Sequence, residues 1–151
     1  MQEFIILFVS MSPILELRVS LPLALMVFDF SVVKAISLAV VGNILPVILL
    51  LFFFERIERW LELNLPSLQR ALSRISMRAR STHRKRFENW GALALFFLTA
   101  IPLPFTGAWT AALGAFLFKI PPAKALPAIF FGIVAAAFIV VAVVVGVGNL
   151  F

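Results

Sequence analysis

Two ionisable side chains lie in the middle of an apolar segment near the start of the chain. Glu16 and Arg18 are flanked by Pro13 and Pro22 within the stretch 4–28, whose other residues are mostly aliphatic or aromatic. An ionisable residue at membrane depth costs about 2.5–3.5 kcal/mol on insertion scales, so it usually faces protein or a water-filled cavity. The two residues are therefore the first candidates for a site that takes a solute across a membrane.

The chemistry open to these two residues is proton transfer and anion binding. Desolvation favours the neutral form of a carboxyl group, so Glu16 could carry a coupling proton. Arg18 could hold a phosphate or carboxylate group through its planar donor fork. Two alternatives remain open: Glu16 and Arg18 pair with each other and only fix the local fold, or residues 1–18 lie at an interface where neither charge is buried.

The composition indicates the setting in which these residues act. Hydrophobic residues make up 63% of the 151 residues, seventeen of them phenylalanine, and only 13% are charged. A helix needs about 20 apolar residues to cross a hydrocarbon core, and the blocks 31–54 and 123–148 meet that need. We predict a single all-α integral membrane domain over 1–151, with these two blocks as transmembrane helices. Because no basic residue lies near Met1, we expect the amino terminus to be retained.

The other two apolar blocks, 4–28 and 91–118, are interrupted at their middles. Proline in a helix interior costs about 3 kcal/mol, and irregular backbone at membrane depth survives only where protein or water satisfies it. We predict that each block is a re-entrant helical hairpin, the alternative being a kinked full span. The predicted hairpin tips contain Pro13, Pro22, Pro102, Pro104 and Gly107.

The second hairpin tip offers polar groups of a different kind. Thr106 and Thr110 carry hydroxyls, and a helix that begins near Gly107 would attract anions at its amino end. Asn43, in the first predicted span, could line the same cavity or could only bond a neighbouring helix. The predicted transport residues, for substrate or proton, are Glu16, Arg18, Asn43, Thr106 and Thr110.

A weak internal repeat relates the two halves of the chain. Shifting the sequence by 90 positions aligns Gly42 with Gly132, and a one-residue gap also aligns Pro13 with Pro102. We predict two inverted repeats, each a hairpin followed by a transmembrane helix, which is a recurrent transporter architecture. Chance similarity in an apolar sequence of low diversity is the alternative.

The polar insert 55–90 indicates the orientation. Nine of the thirteen lysines and arginines lie between Arg56 and Arg86, and basic segments stay on the cytoplasmic side. Re-entrant hairpins then place eleven basic residues inside and both termini outside, whereas four full spans place both termini inside. The charge distribution favours re-entry.

The same insert has apolar residues at helical spacing, with Pro66 between two predicted helices. Such a segment suits an amphipathic helix on the cytoplasmic leaflet. Arg70, Arg74 and Arg78 form one stripe, which we predict to contact lipid headgroups. The alternative is a solvated loop that only determines topology.

Several classes of function are excluded by what the sequence lacks. The chain has no cysteine and a single histidine, and no nucleophile motif or phosphate-binding loop, so we expect no metal site, no cofactor and no enzymatic activity. The expected partners are membrane lipids and protons, with no nucleic acid. Two spans and two hairpins make a thin wall around a pathway, so we expect a homo-oligomer, a dimer or larger.

The proline-bracketed motifs resemble those of a known family. The segments from Ser12 to Pro22 and from Pro102 to Trp109, together with Gly114, are similar to the small multi-drug export family, a distant relative of the DedA membrane proteins. The resemblance covers nearly the whole chain and implies inverted hairpin-plus-helix repeats, a transport role and a prokaryotic-type cytoplasmic membrane. DedA relatives are implicated in moving polyprenyl phosphate or phospholipid, but the second tip lacks their arginines.

These observations leave three hypotheses for the function. The first is a transporter of a small amphiphilic molecule or lipid, with Glu16 as a proton or substrate site. The second, implied by the DedA relationship, is a flippase or scramblase of phospholipid or polyprenyl phosphate. The third is a membrane scaffold that transports nothing, in which Glu16 and Arg18 only stabilise the first hairpin.

Overall fold

The computed structural model describes residues 1–80, 84–103 and 106–148, and within them the chain is helical with no strand. Pro104 and the side chain of Arg78 lie outside the described residues. The helices are α1 Gln2–Met11, α2 Glu16–Pro22 with a π-helical turn Leu23–Val27, α3 Val32–Phe52, α4 Phe54–Asn64, α5 Pro66–Arg80, α6 Arg84–Ala100, α7 Ala108–Leu117 and α8 Pro122–Gly148.

Two of these helices are long and apolar enough to cross a membrane. They are Val32–Phe52 and Pro122–Val147, close to the predicted blocks 31–54 and 123–148. By contrast α7 has 10 residues, which at about 1.5 Å per residue is half the length that a hydrocarbon core requires. The all-α class and the two candidate spans are therefore confirmed.

The first interrupted block has its break between α1 and α2. Pro13 lies in this break, and Glu16 begins α2 with a left-handed backbone, φ 46°. Pro22, predicted at the same tip, lies instead at the end of α2, where the helix continues as the π-helical turn. Because proline has no N–H, the α-helical ladder loses a bond there and widens without stopping.

The second interrupted block has its break between α6 and α7. Pro102 lies in this break, and Gly107 precedes α7 with φ 146°. The helix before the break begins at Arg84, earlier than the predicted boundary at residue 91. No proline or glycine stands between Arg84 and Trp90, so the backbone has no reason to leave the helix there.

In each half of the chain, the start of the interrupted block lies beside the start of the long helix that follows the block. The Glu3 carboxylate is 2.6 Å from the Lys34 ammonium, at the start of α3. A Cβ built on Gly91 would lie 2.8 Å from the Ile120 side chain, just before α8. The carboxyl end of α3 lies beside the amino end of α8, since both line one cavity.

The two long helices each cross a hairpin helix at a glycine. A Cβ on Gly42 would lie 2.6 Å from the Ser10 Cβ and 2.8 Å from the Leu7 carbonyl oxygen, in α1. A Cβ on Gly132 would lie 2.6 Å from the Thr99 Cβ, in α6. Both crossings bring backbones closer than any side chain at the glycine would permit.

Positions that the predicted repeat aligns also share a turn geometry. Asp29, before α3, and Lys119, before α8, are both non-glycine residues in the left-handed region, with φ 54° and φ 50°. They are separated by the same 90 positions as Gly42 and Gly132. The two halves thus enter their long helices through similar turns.

Candidate functional site

The carboxylate of Glu16 lies at the amino end of α7. The residue is only 6% exposed, and its Oε1 accepts a hydrogen bond from the Trp109 backbone N–H at 3.4 Å. Free N–H groups and the helix dipole make the first turn of a helix favourable for a negative charge. Glu16 therefore caps α7 from the other half of the chain, as an N-cap side chain does within one helix.

Gly107 makes this approach possible. Its φ of 146° is a conformation that other residues rarely adopt. A Cβ at this position would collide with the Glu16 carboxyl group. The absence of a side chain at Gly107 is thus what lets the carboxylate reach the helix terminus.

Arg18 bonds to the same tip through Thr106. One guanidinium nitrogen donates to the Thr106 carbonyl oxygen and lies 3.0 Å from the Thr106 hydroxyl. That hydroxyl oxygen lies 2.8 Å from the carbonyl oxygens of both Ile101 and Leu103, to which it can donate, and it accepts from the Leu103 N–H. Thr106 therefore bonds both to neighbouring backbone groups and to the Arg18 side chain.

A third contact joins the two tips through an indole. The Trp109 ring N–H donates to the Met11 carbonyl oxygen at 3.1 Å. Neither residue is among the predicted site residues. The available signal was that a tryptophan in an apolar segment needs a partner for its N–H.

These contacts define a single cluster, the tip junction, formed by Met11, Glu16, Arg18, Thr106, Gly107 and Trp109. The structure thus brings together Glu16, Arg18, Thr106 and Gly107 from the predicted set, with Pro13 and Pro102 in the adjoining breaks. Glu16 and Arg18 each bond across to the second interrupted block. The two charged side chains, the dipole of α7 and the Thr106 hydroxyl thus meet at one contact between the two halves of the chain.

The other predicted transport residues lie elsewhere. Asn43 is fully buried in α3 and donates to the Ala39 carbonyl, while its own side-chain oxygen has no hydrogen-bond partner among the described residues. Thr110 is in the first turn of α7 and exposed. Ser10 and Ser20, which sequence reasoning missed, form a buried hydrogen bond of 2.6 Å inside the first hairpin.

The predicted headgroup stripe is only partly described. Arg70 and Arg74 are exposed on α5, and the Arg70 side chain donates to the Pro66 carbonyl at the start of its own helix. Pro66 begins α5, as the sequence predicts. The two described arginines are thus exposed, and their contact with lipid headgroups stays a prediction.

The fold and the junction define an all-helical protein with two candidate membrane helices, and comparison with known families identifies it further. The family model described as "Putative small multi-drug export protein" matches residues 16–139. The chain belongs to this family. The matched range begins at Glu16 and contains most of the tip junction.

Two other comparisons found no relative. No curated protein matched the chain, and no solved structure matched it.

Proposed function

We propose that this protein exports small amphiphilic molecules across a prokaryotic-type cytoplasmic membrane and couples export to protons at the tip junction. The observation that carries the proposal is the buried Glu16 carboxylate, which comes from the first hairpin and caps a helix of the second. An ionisable group at the contact between two halves can link its own protonation to their separation. The family name supports export, and we propose that the protein has no enzymatic activity.

The contacts at the ends of the helices support a multi-pass, inverted arrangement. Each interrupted block begins and ends beside the same end of its long helix, as a re-entrant hairpin does. The neighbouring ends of α3 and α8 are of opposite sense, so the two hairpins would enter from opposite faces. The basic insert that follows α3 favours a cytoplasmic position for the carboxyl end of this helix.

The exposed surface supports embedding in lipid and assembly of several copies. Large apolar side chains are exposed along the long helices, among them Phe52 at 85% and Phe131 at 61%. Such surface is costly in water but is natural against acyl chains or another protomer. We therefore propose a homo-oligomer, with lipids as the remaining partners.

Protonation of Glu16 would act on the junction through electrostatics. The ionised carboxylate is held by the amino end of α7 and by the nearby charge of Arg18. A neutral carboxyl group interacts more weakly with both. Proton uptake would thus loosen the contact between hairpins, and proton release would restore it.

The test is transport by purified protein in liposomes with and without a proton gradient. Ethidium, a fluorescent phosphatidylethanolamine and a polyprenyl phosphate would be offered as probes, so that export and lipid translocation are separated. We expect Glu16→Gln to abolish gradient-driven transport while the protein remains folded. The control is Glu62→Gln, which removes an exposed carboxylate from α4; full activity of Glu16→Gln would overturn the proposal.

A scaffold function remains the second candidate because both charges are satisfied by the opposite hairpin. A purely structural pair can be replaced by packed apolar residues without loss. The double variant Glu16→Leu with Arg18→Leu therefore separates the candidates. If the double variant remains folded, an exporter loses the transport that the unmodified chain has, whereas for a scaffold the unmodified chain transports nothing and the variant keeps the same assembly state.

A further inference from the structure

A cavity of about 530 Å³ lies between the carboxyl end of α3, α4, the end of α7 and the start of α8. This volume falls in the range of small-molecule sites. Its walls include Phe52, Phe54 and Phe116, and the rings of Phe54 and Phe116 are in contact, with centroids 5.0 Å apart. The cavity is separate from the tip junction.

Two opposite charges lie at the edge of this cavity. Glu58, on α4, and Lys119, in the turn before α8, are ion-paired, and of the described residues that line the cavity these are the charged ones. Their side chains are 35% and 40% exposed respectively. Both charged groups are therefore accessible to an incoming solute.

The Glu58 carboxylate and the Lys119 ammonium differ in how easily each can move away from the cavity. The Lys119 ammonium is on a long flexible stem, and such a stem lets a lysine keep its charge in water while the side chain changes direction. The shorter Glu58 side chain projects from a helix and stays near the cavity. An incoming cation can therefore displace Lys119 and keep Glu58 as its counter-ion, whereas an incoming anion would still meet Glu58.

We propose that this cavity is a binding site for lipophilic cations, with Glu58 as the counter-ion, the phenylalanine rings as the apolar wall and Lys119 as a built-in competitor. The assignment rests on the proposed export function and deepens it by naming the substrate class. Aromatic faces attract cations as well as apolar groups, so all three features favour one kind of ligand.

Equilibrium binding of two isosteric ions to the detergent-purified chain tests the assignment. Radiolabelled tetraphenylphosphonium and tetraphenylborate have the same shape and opposite charge, and empty micelles give the background. We expect the phosphonium to bind saturably and the borate about tenfold more weakly. Equal or preferential binding of the borate would overturn the proposal.

Variants assign the binding to the cavity. Glu58→Gln should weaken phosphonium binding about five- to tenfold, and Lys119→Met should strengthen it by a similar factor, because the competitor is removed. Glu62→Gln is the matched control and should have no effect; an unchanged affinity in Glu58→Gln contradicts the proposal.

The binding assay is independent of transport. Intact binding with no transport by the unmodified chain would refute the export function and leave the site, whereas transport with no phosphonium binding would refute the site alone.

Discussion

At the scale of single residues, Gly107 and Glu16 fit closely against each other. The glycine has a φ of 146°, and the carboxyl group occupies the space that its side chain would need. We expect Gly107→Ala to lower the free energy of unfolding by about 2 kcal/mol or more, because backbone strain and overpacking add. Thermal unfolding in detergent measures the change.

A second glycine in the same hairpin provides the control for this prediction. A Cβ on Gly114, within α7, would lie 3.6 Å from the Leu95 side chain, an ordinary contact. Gly114→Ala should therefore stabilise the protein by about 0.5–1 kcal/mol through helix propensity. If both substitutions have the same sign, the Gly107–Glu16 contact is not what constrains the tip.

Sequence reasoning found most residues of the tip junction but not their partners. Glu16, Arg18 and Thr106 stand out because polar residues are rare in apolar segments. Their bonds join positions 88 and more apart, so they depend on how two breaks meet in space, which no local pattern encodes. The same limit applies to Asn43, because only the three-dimensional structure reveals that its side-chain oxygen has no hydrogen-bond partner among the described residues.

At the scale of helices, the crossings at Gly42 and Gly132 permit close packing of helix backbones. Alanine at either position would place its Cβ 2.6 Å from a neighbouring Cβ, so the helices would have to separate. We expect each substitution to cost about 1–3 kcal/mol. Gly146→Ala, where a Cβ would meet no atom of the described residues within 4 Å, should be neutral or stabilising in the same unfolding assay.

The ion pair between Glu3 and Lys34 ties the start of α1 to the start of α3. The Lys34 side chain, by hydrogen bond and charge, holds the pKa of Glu3 below its usual value of 4.5. A lowered folded-state pKa stabilises the protein above the unfolded value and loses that effect as the pH falls through the folded value.

The expected result is a pH-dependent effect of Glu3→Gln. Its unfolding temperature should be lower than that of the unmodified chain at pH 7, and the two should converge as the pH falls below 4.5. High salt should shrink the difference at pH 7, because both side chains are about half exposed. A difference that persists in acid would mean that Glu3 acts through packing.

Helix positions were more predictable than helix boundaries. The long apolar blocks and Pro66 predicted α3, α8 and the start of α5, because length and proline act locally. Pro22 was misplaced because a single proline can be absorbed in a π-helical turn, and the neighbouring packing decides whether it is.

At the scale of the whole molecule, the arrangement of helix ends predicts the topology. If both interrupted blocks re-enter the membrane, the two termini lie outside and the segment 55–90 lies in the cytoplasm. Reporters that are active in only one compartment, fused to each terminus, measure this. Both termini should report the exterior, and a reporter inserted between α4 and α5 should report the cytoplasm. Cytoplasmic termini would refute re-entry.

The helix crossings at the two glycines also determine which parts of the molecule can move. At Gly42 and Gly132 backbone lies against backbone, so α1 cannot slide along α3, nor α6 along α8, without a collision. At the tip junction the halves are joined by a carboxylate, a guanidinium and an indole, which side-chain rotation alone can release. Each half is therefore held rigidly at its glycine crossing, whereas the two tips can separate from each other once three side-chain contacts are released.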